Sequence, residues 1–267
     1  MNKCFLIILL FCGSISCSNQ KEQVVKISTT LGDMKVKLYN ETPKHRDNFL
    51  KLVKEQFYDS VLFHRVIQNF MIQAGDPDSK RAVSGALLGE GDNGYTIDAE
   101  FQPRYFHKKG VLAAAREGDE VNPLRKSSGS HFYIVQGVVY SPEKLDNTVK
   151  RINERRKIAL YNRIKSGYET EYARLQKAED QEGMDRLTEE ISHACDSLFV
   201  QEELVLTPEQ KEIYTTIGGT PHLDGQYTVF GEVVEGLDVM DKIAAVKTDT
   251  NDRPLENVVI LHMEIVK

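Results

Sequence analysis

The stretch Phe63-His-Arg-Val-Ile-Gln-Asn-Phe-Met-Ile-Gln-Ala-Gly-Asp-Pro77 decides how this chain is read. It holds the better part of two strand-like runs, residues 61–67 and 70–74, rich in β-branched, aromatic and other apolar side chains. In strand periodicity Arg65 shares a face with Phe63 and Ile67. A guanidinium on an apolar face costs free energy unless it is paired or used, so Arg65 is a candidate site residue rather than a casual surface charge. His64, the next residue along the strand, points the other way and reads as structural.

Upstream, Val25, Ile27 and Thr29 share one face and Met34, Val36 and Leu38 another, across a turn at Leu31-Gly32-Asp33, which is a hairpin signal. Thr42-Pro43 supplies an N-cap and a first-turn proline, and Phe49, Leu52 and Val53 follow at helical spacing, predicting a helix over residues 43–56. Downstream, Gly85, Gly89, Gly91 and Gly94 mark a surface loop. Gly89, Gly91 and Gly94 match a Gly-x-Gly-x-x-Gly pattern, but no strand enters it and no helix leaves it, so a dinucleotide site is not read there. Strands are expected over 110–115 and 130–135. Between residues 141 and 217 the period becomes helical: Leu160, Ile164, Tyr168, Tyr172 and Leu175, then Met184, Leu187, Ile191, Ala194 and Leu198. Ser141-Pro142 and the capping box Thr207-Pro208-Glu-Gln210 start helices, and Gly218-Gly219 stops the last, giving about three helices by spacing. Strand character resumes at 227–230, followed by a helix near 237–245 and a last strand over 258–266. Two β-rich blocks without a βαβ rhythm call for an antiparallel sheet or barrel, interrupted but not built by the helices.

The 63–77 stretch resembles the signature of the cyclophilin family of peptidyl-prolyl cis-trans isomerases. The resemblance continues in Ser128-Gly-Ser-His-Phe-Tyr-Ile134, Leu223-Asp-Gly-Gln-Tyr-Thr-Val-Phe-Gly231 and Gly236-Leu-Asp-Val-Met240, in the family's order, over about residues 24–138 and 218–267. It implies a mainly β fold: a closed antiparallel β-barrel capped by two helices, here over 24–140 and 218–267, with an α-helical arm inserted at 141–217. It also implies isomerisation of X-Pro bonds, with Arg65 as the catalytic residue. Rotation about the amide costs about 18–20 kcal/mol because the nitrogen lone pair is delocalised into the carbonyl. A guanidinium that donates a hydrogen bond to that lone pair only in the twisted state lowers the barrier. The resemblance further implies that Gln73 holds the guanidinium plane, that Phe70, Met71, Tyr133 and Leu223 surround the proline ring, and that Ala115, Arg116, His131 and Tyr227 complete the substrate site. By composition alone the apolar members would be core. The sequence departs from the family at His131, where glutamine is usual, at Arg116 for asparagine, at His222 for tryptophan and at Tyr227 for histidine. Weak binding of cyclic peptide inhibitors is therefore expected, with isomerisation intact.

The N-terminus resembles a bacterial lipoprotein signal: Lys3, the apolar run 4–12, small residues and then Cys17. The apolar run is too short to span a bilayer. The expectation is a signal over 1–16, a lipid on Cys17, a polar tether over 17–23 and an exported, membrane-anchored protein facing the periplasm. An ordinary secretory signal cleaved nearby is the alternative. With Cys4 and Cys12 removed, Cys195 lacks an intrachain partner and reads as a small core residue.

The 267 residues carry 34 Lys plus Arg against 40 Asp plus Glu, a formal net charge of −6, which argues against a nucleic-acid partner. His45, His107, His193 and His262 show no metal-ligand spacing, so neither metal nor cofactor is expected. The expected partners are proline-containing polypeptides, exported or unfolded. Two rivals to the enzyme stand: a module that binds proline segments with little turnover, and a scaffold acting through its arm. The arm is expected to grip clients or a partner, and its deletion to spare peptide isomerisation while impairing refolding of a whole protein.

Overall fold

The computed structural model describes residues 21–83 and 85–266; the candidate signal and Cys17 lie outside the described residues. Strands β1 (Val24–Thr29) and β2 (Gly32–Leu38) form the expected hairpin, with Val25, Ile27, Met34, Val36 and Leu38 all buried on one side. Helix α1 (Pro43–Lys54) begins at Pro43, but Thr42 does not cap it. Its hydroxyl donates back to the Tyr39 carbonyl, and the free N–H groups of Lys44 and His45 are taken by the Glu100 carboxylate at 3.1 and 3.0 Å. The cap thus arrives from a distant segment, which satisfies the same orphan donors.

The remaining strands are β3 (Arg65–Ile67), β4 (Met71–Ala74), β5 (Thr96–Ile97), β6 (Val111–Ala114), β7 (Ser127–Ser128), β8 (Phe132–Val135), β9 (Val229–Glu235) and β10 (Ile260–Val266). Eight of the ten form one antiparallel sheet in the order β10-β1-β2-β9-β6-β8-β4-β3, and β5 pairs with β7. The closed barrel expected from the sequence is corrected here to a curled sheet whose end strands share no ladder. The seam is crossed by an isolated Leu62–Val259 bridge, with Phe63 N–H donating to the Val258 carbonyl at 2.9 Å and Ile260 N–H to the Val61 carbonyl at 2.8 Å. Pairing stays sparse because β3 is three residues long and the chain leaves strand geometry just before it. That break also reverses Phe63: it packs into the interior near Phe132 and does not share a face with Arg65.

The interior is filled from the concave side of the sheet and from two helices. Phe49, Leu52 and Val53 of α1 and Val239, Met240 and Ile243 of α6 (Leu237–Ala244) join one buried cluster with Ile72, Leu112 and Ile134. Each such side chain contributes about 1.5–3 kcal/mol by leaving water.

Four helices stand between Val138 and Gly219: α2 (Pro142–Ser166), α3 (Glu169–Lys177), α4 (Gln181–Glu202) and α5 (Pro208–Thr216). Ser141 caps α2 by accepting from Lys144 N–H, and the reciprocal Thr207/Gln210 box caps α5. The arm has two apolar clusters. One joins Leu145, Ile152 and Tyr214 to Phe106 of the β domain, and the other packs Leu175, Leu187 and Ile191 farther out. Cys195 is buried and its thiol donates to the Lys157 carbonyl across α2 and α4, whereas Leu198, placed on the same stripe by spacing, is 46% exposed. The arm leaves and returns at one point, where Val138 and Gly219 form a bridge. No described helix is long and apolar enough to cross a membrane.

Candidate active site

Alternation along the strands sorts side chains to the two faces of the sheet. Val66, Ile72, Ile134 and Leu112 point inward, so Arg65, Gln73, Tyr133 and Ala113 point outward, and register aligns these four across β3, β4, β8 and β6. One step along, Ile67, Met71 and Val135 form the next outward row. Over these rows an apolar cluster gathers Met71, Tyr133 and Leu223, with Phe70, Ala115 and Tyr227 packed at its rim. The four residues expected around a proline ring, Phe70, Met71, Tyr133 and Leu223, are therefore brought together, with Ala115 and Tyr227 of the expected substrate site beside them.

Arg65 lies at the edge of that cluster on the end strand. Its side chain is 44% exposed, and its Nε stands 3.6 Å from Asp252 Oδ2. Gln73 is its register partner, but among the described residues no side-chain hydrogen bond joins the two; the anionic neighbour is Asp252, which sequence reasoning missed. An exposed pair at that distance is worth under about 1 kcal/mol, so the guanidinium remains available.

A depression of about 550 Å³ opens between the glycine-rich loop at Gly89–Gly91 and the line of Gln73, Ala115, Arg116 and His131, which borders the apolar cluster at Ala115. Gly75, with φ of +111°, lets the end of β4 run against Ser130 and His131; a Cβ there would strike the Ser130 carbonyl oxygen. Arg116 is fully engaged. Its guanidinium lies 4.6 Å from the Tyr227 ring centre, donates to the Gln226 and Glu117 carbonyls and pairs with Asp119 at 2.7 Å. The side chain thus fixes Tyr227 in place of reaching a ligand. His131 is buried and donates from Nε2 to the Gly91 carbonyl at 2.6 Å, tying the loop to β8. The loop's other end is held by Asp76, which accepts from Gly89 N–H at 2.5 Å.

His64 sits under this loop, 5.3 Å from the His131 ring, and neither of its ring nitrogens has a hydrogen-bond partner among the described residues. Burial, reinforced by His131, pushes it down to about 4, so it is neutral at ordinary pH. No cluster of three or more His, Cys, Asp or Glu side chains placed to hold a metal occurs among the described residues.

Behind the apolar cluster runs a buried polar network that the sequence did not reveal. Asp224, next to Leu223, accepts from His107 at Oδ1 through both the backbone N–H, at 2.7 Å, and ring Nδ1, at 3.0 Å. A neutral ring that donates from Nδ1 leaves Nε2 to accept the Tyr133 hydroxyl at 2.9 Å. Asp224 Oδ2 accepts the Tyr214 hydroxyl at 2.7 Å, and its backbone carbonyl accepts Arg156 Nη2 at 2.6 Å. Tyr214 and Arg156 belong to α5 and α2, so the arm is bonded into the wall that carries Leu223 and Tyr133. The expectation that the arm can be cut away without touching the apolar cluster is accordingly revised. Burial raises the phenols of Tyr133 and Tyr214 far above the ordinary range, so both remain donors.

Comparison with known proteins agrees with this arrangement. The family model for cyclophilin type peptidyl-prolyl cis-trans isomerases matches residues 24–193 and 209–265, running through α2 and α3 into α4, farther than the motifs alone suggested. A Staphylococcus saprophyticus protein named as a peptidyl-prolyl cis-trans isomerase is 29% identical over 250 residues, covering 93% of this chain and 94% of its own. A Staphylococcus aureus relative of the same name is 29% identical, with 92% and 93% covered. A Streptococcus pyogenes protein named as a bifunctional phosphatase/peptidyl-prolyl cis-trans isomerase is also 29% identical, but the chain spans 40% of its length. The crystal structure of a Cryptosporidium parvum cyclophilin type isomerase superposes with a TM-score of 0.53 at 19% identity, covering 92% of this chain and 98% of that one. A second crystal structure of that protein, in the presence of the dipeptide Ala-Pro, superposes with the same TM-score of 0.53. With both β-rich blocks inside the family match and the fold shared, the chain belongs to the cyclophilin-type peptidyl-prolyl cis-trans isomerase family.

Proposed function

We propose that this isomerase accelerates rotation about X-Pro bonds in exported polypeptides and so assists their folding, with Arg65 as the catalytic group. The reading rests above all on one arrangement: Arg65 and Gln73 stand side by side on the outer face, in line with Tyr133 and one row from Met71. The proline ring enters the hollow among Phe70, Met71, Tyr133 and Leu223, which removes apolar surface from water. Arg65 then donates to the prolyl nitrogen as it pyramidalises, an interaction absent from the planar ground state. Gln73 orients the guanidinium or the carbonyl beside it. Ala115, Arg116, His131 and Tyr227 shape the ground next to the ring, and the 550 Å³ depression receives a neighbouring residue of the client.

In the same reading, residues 24–140 and 218–267 form the isomerase domain, and 141–217 is an inserted arm that helps to hold clients. Cys17 carries the lipid that anchors the protein to a cell-envelope membrane, facing the periplasm. Support for the anchor is the order of Lys3, the apolar run and Cys17 in the sequence.

Arg65→Ala tests the catalytic assignment. By analogy with the loss of one donor aimed at a transition state, kcat/KM on a short proline peptide should fall roughly 100- to 1,000-fold. Equal rates for the two proteins would defeat the assignment.

A further inference from the structure

A cleft of about 570 Å³ separates one face of α2 from the loop that carries Leu223. Its walls include Arg151, Arg155 and Arg156 from α2, with Ile152 between them, and His222 and Gln226 opposite. No carboxylate lines it. Arg151 and Arg155 stand one turn apart on the helix, and like charges at that spacing repel and destabilise the helix that bears them.

The nearby acids do not relieve that imbalance. Asp224 is engaged by His107 and Tyr214, and Glu202 by Arg163 and Arg125. Glu154 lines the neighbouring depression beside Lys150 and Arg151. Arg156 is spent on the Glu202 and Asp224 carbonyls and acts as a strut between arm and domain. Arg151 and Arg155 are exposed and make no ion pair among the described residues. The cleft also borders the apolar cluster: His222 rests against Phe70 with ring centres 5.4 Å apart, and Leu223, the next residue, belongs to that cluster. A client chain lying across the hollow therefore has a cationic cleft within reach of the residues that flank its proline.

We propose that Arg151 and Arg155 bind an acidic side chain, Asp or Glu, placed a few residues from the proline, so that the arm selects acidic proline segments as clients. This rests on the isomerase reading given above and adds a substrate class to it.

The test uses the full chain and a set of short peptides with one central proline, each carrying Glu, Lys or Gln at one of the three positions on either side. At one position Glu should give a KM about five-fold below that of Lys at low salt, a ratio that falls to within about two-fold near 0.5 M salt because both arginines are exposed. Arg155→Lys should keep the preference, and the double variant Arg151→Glu/Arg155→Glu should reverse it. Thermal melts check that both variants fold. A wild-type ratio near one at every position overturns the proposal, as does a preference that survives the double charge reversal. Binding of phosphatidylserine vesicles that the double variant loses, with no peptide preference, would make the face a membrane contact and also overturn it. Failure of wild type to speed isomerisation of the Gln peptides would instead strike at the isomerase reading itself.

Discussion

Replacing Tyr214 with Phe removes one hydroxyl from the arm, and its effect should be felt in the apolar hollow. The ring is fully buried and packs edge-on near Phe106 with centres 5.5 Å apart, contacts that Phe retains. What is lost is the 2.7 Å bond to Asp224 Oδ2, which leaves one oxygen of a buried carboxylate without that donor. A hydrogen bond to a charged group contributes about 1.5–3 kcal/mol, so the melting temperature of a chain this size should drop by about 5–10 °C. If roughly 1 kcal/mol of that loss reaches the hollow through His107 and Tyr133, kcat/KM on a proline peptide falls about five-fold. Tyr133→Phe removes the other end of the relay, the hydroxyl on His107 Nε2. Because both changes act on the same His107–Asp224 pair, the double variant should lose less activity than the product of the single losses, with a coupling of at least about 0.5 kcal/mol. A peptide isomerisation assay paired with thermal melts reads both quantities. Activity losses that simply multiply, or a lower melting temperature with unchanged kcat/KM, would refute a mechanical link between arm and hollow.

Acid should weaken the fold before ordinary carboxylates titrate. His64 has a folded-state pKa near 4 against about 6.5 when unfolded, so between those values the unfolded chain binds the extra proton. Stability is then fully present above about pH 6.5 and declines by about 3 kcal/mol as the pH falls to 4, with His45 shifted in the same direction by its burial. Urea midpoints that are flat between pH 4.5 and 6.5, or a slope that His64→Gln does not reduce, would contradict this. Gly75→Ala puts a methyl into the Ser130 carbonyl at a positive φ and should cost several kcal/mol, on the order of a severe core lesion. A soluble, fully active Gly75→Ala protein with unchanged melting temperature would show that β4 need not approach Ser130 so closely.

What the sequence made legible was local. Val25, Ile27, Met34, Val36 and Leu38 carry a two-residue period that has one solution, and Thr207 and Gln210 meet within a single turn of helix. What it hid depends on partners far along the chain. Thr42 has the composition of a cap, yet Glu100 does the capping. Phe63 obeys strand alternation only if the strand continues through His64, and it does not. Leu198 falls on the apolar stripe of α4, but beyond Ile191 the inner position passes to Cys195. The candidate site was readable because most of its residues, Arg65, Phe70, Met71, Gln73, His131, Tyr133, Leu223 and Tyr227, lie in contiguous family motifs. Their support was not, since Asp224, His107, Tyr214 and Arg156 come from four separate segments that only folding unites.

The place of β9 in the sheet has a consequence for how the molecule is made. It lies between β2 and β6, yet it is translated only after the whole arm. Until residues 229–235 emerge, the nascent sheet is two separate ribbons, each with a bare flank of unpaired amides that can recruit a foreign strand. The arm, whose helices need only near neighbours, can condense during that interval while the ribbons wait. Joining them is a late zipper event, held back until the whole arm has been made.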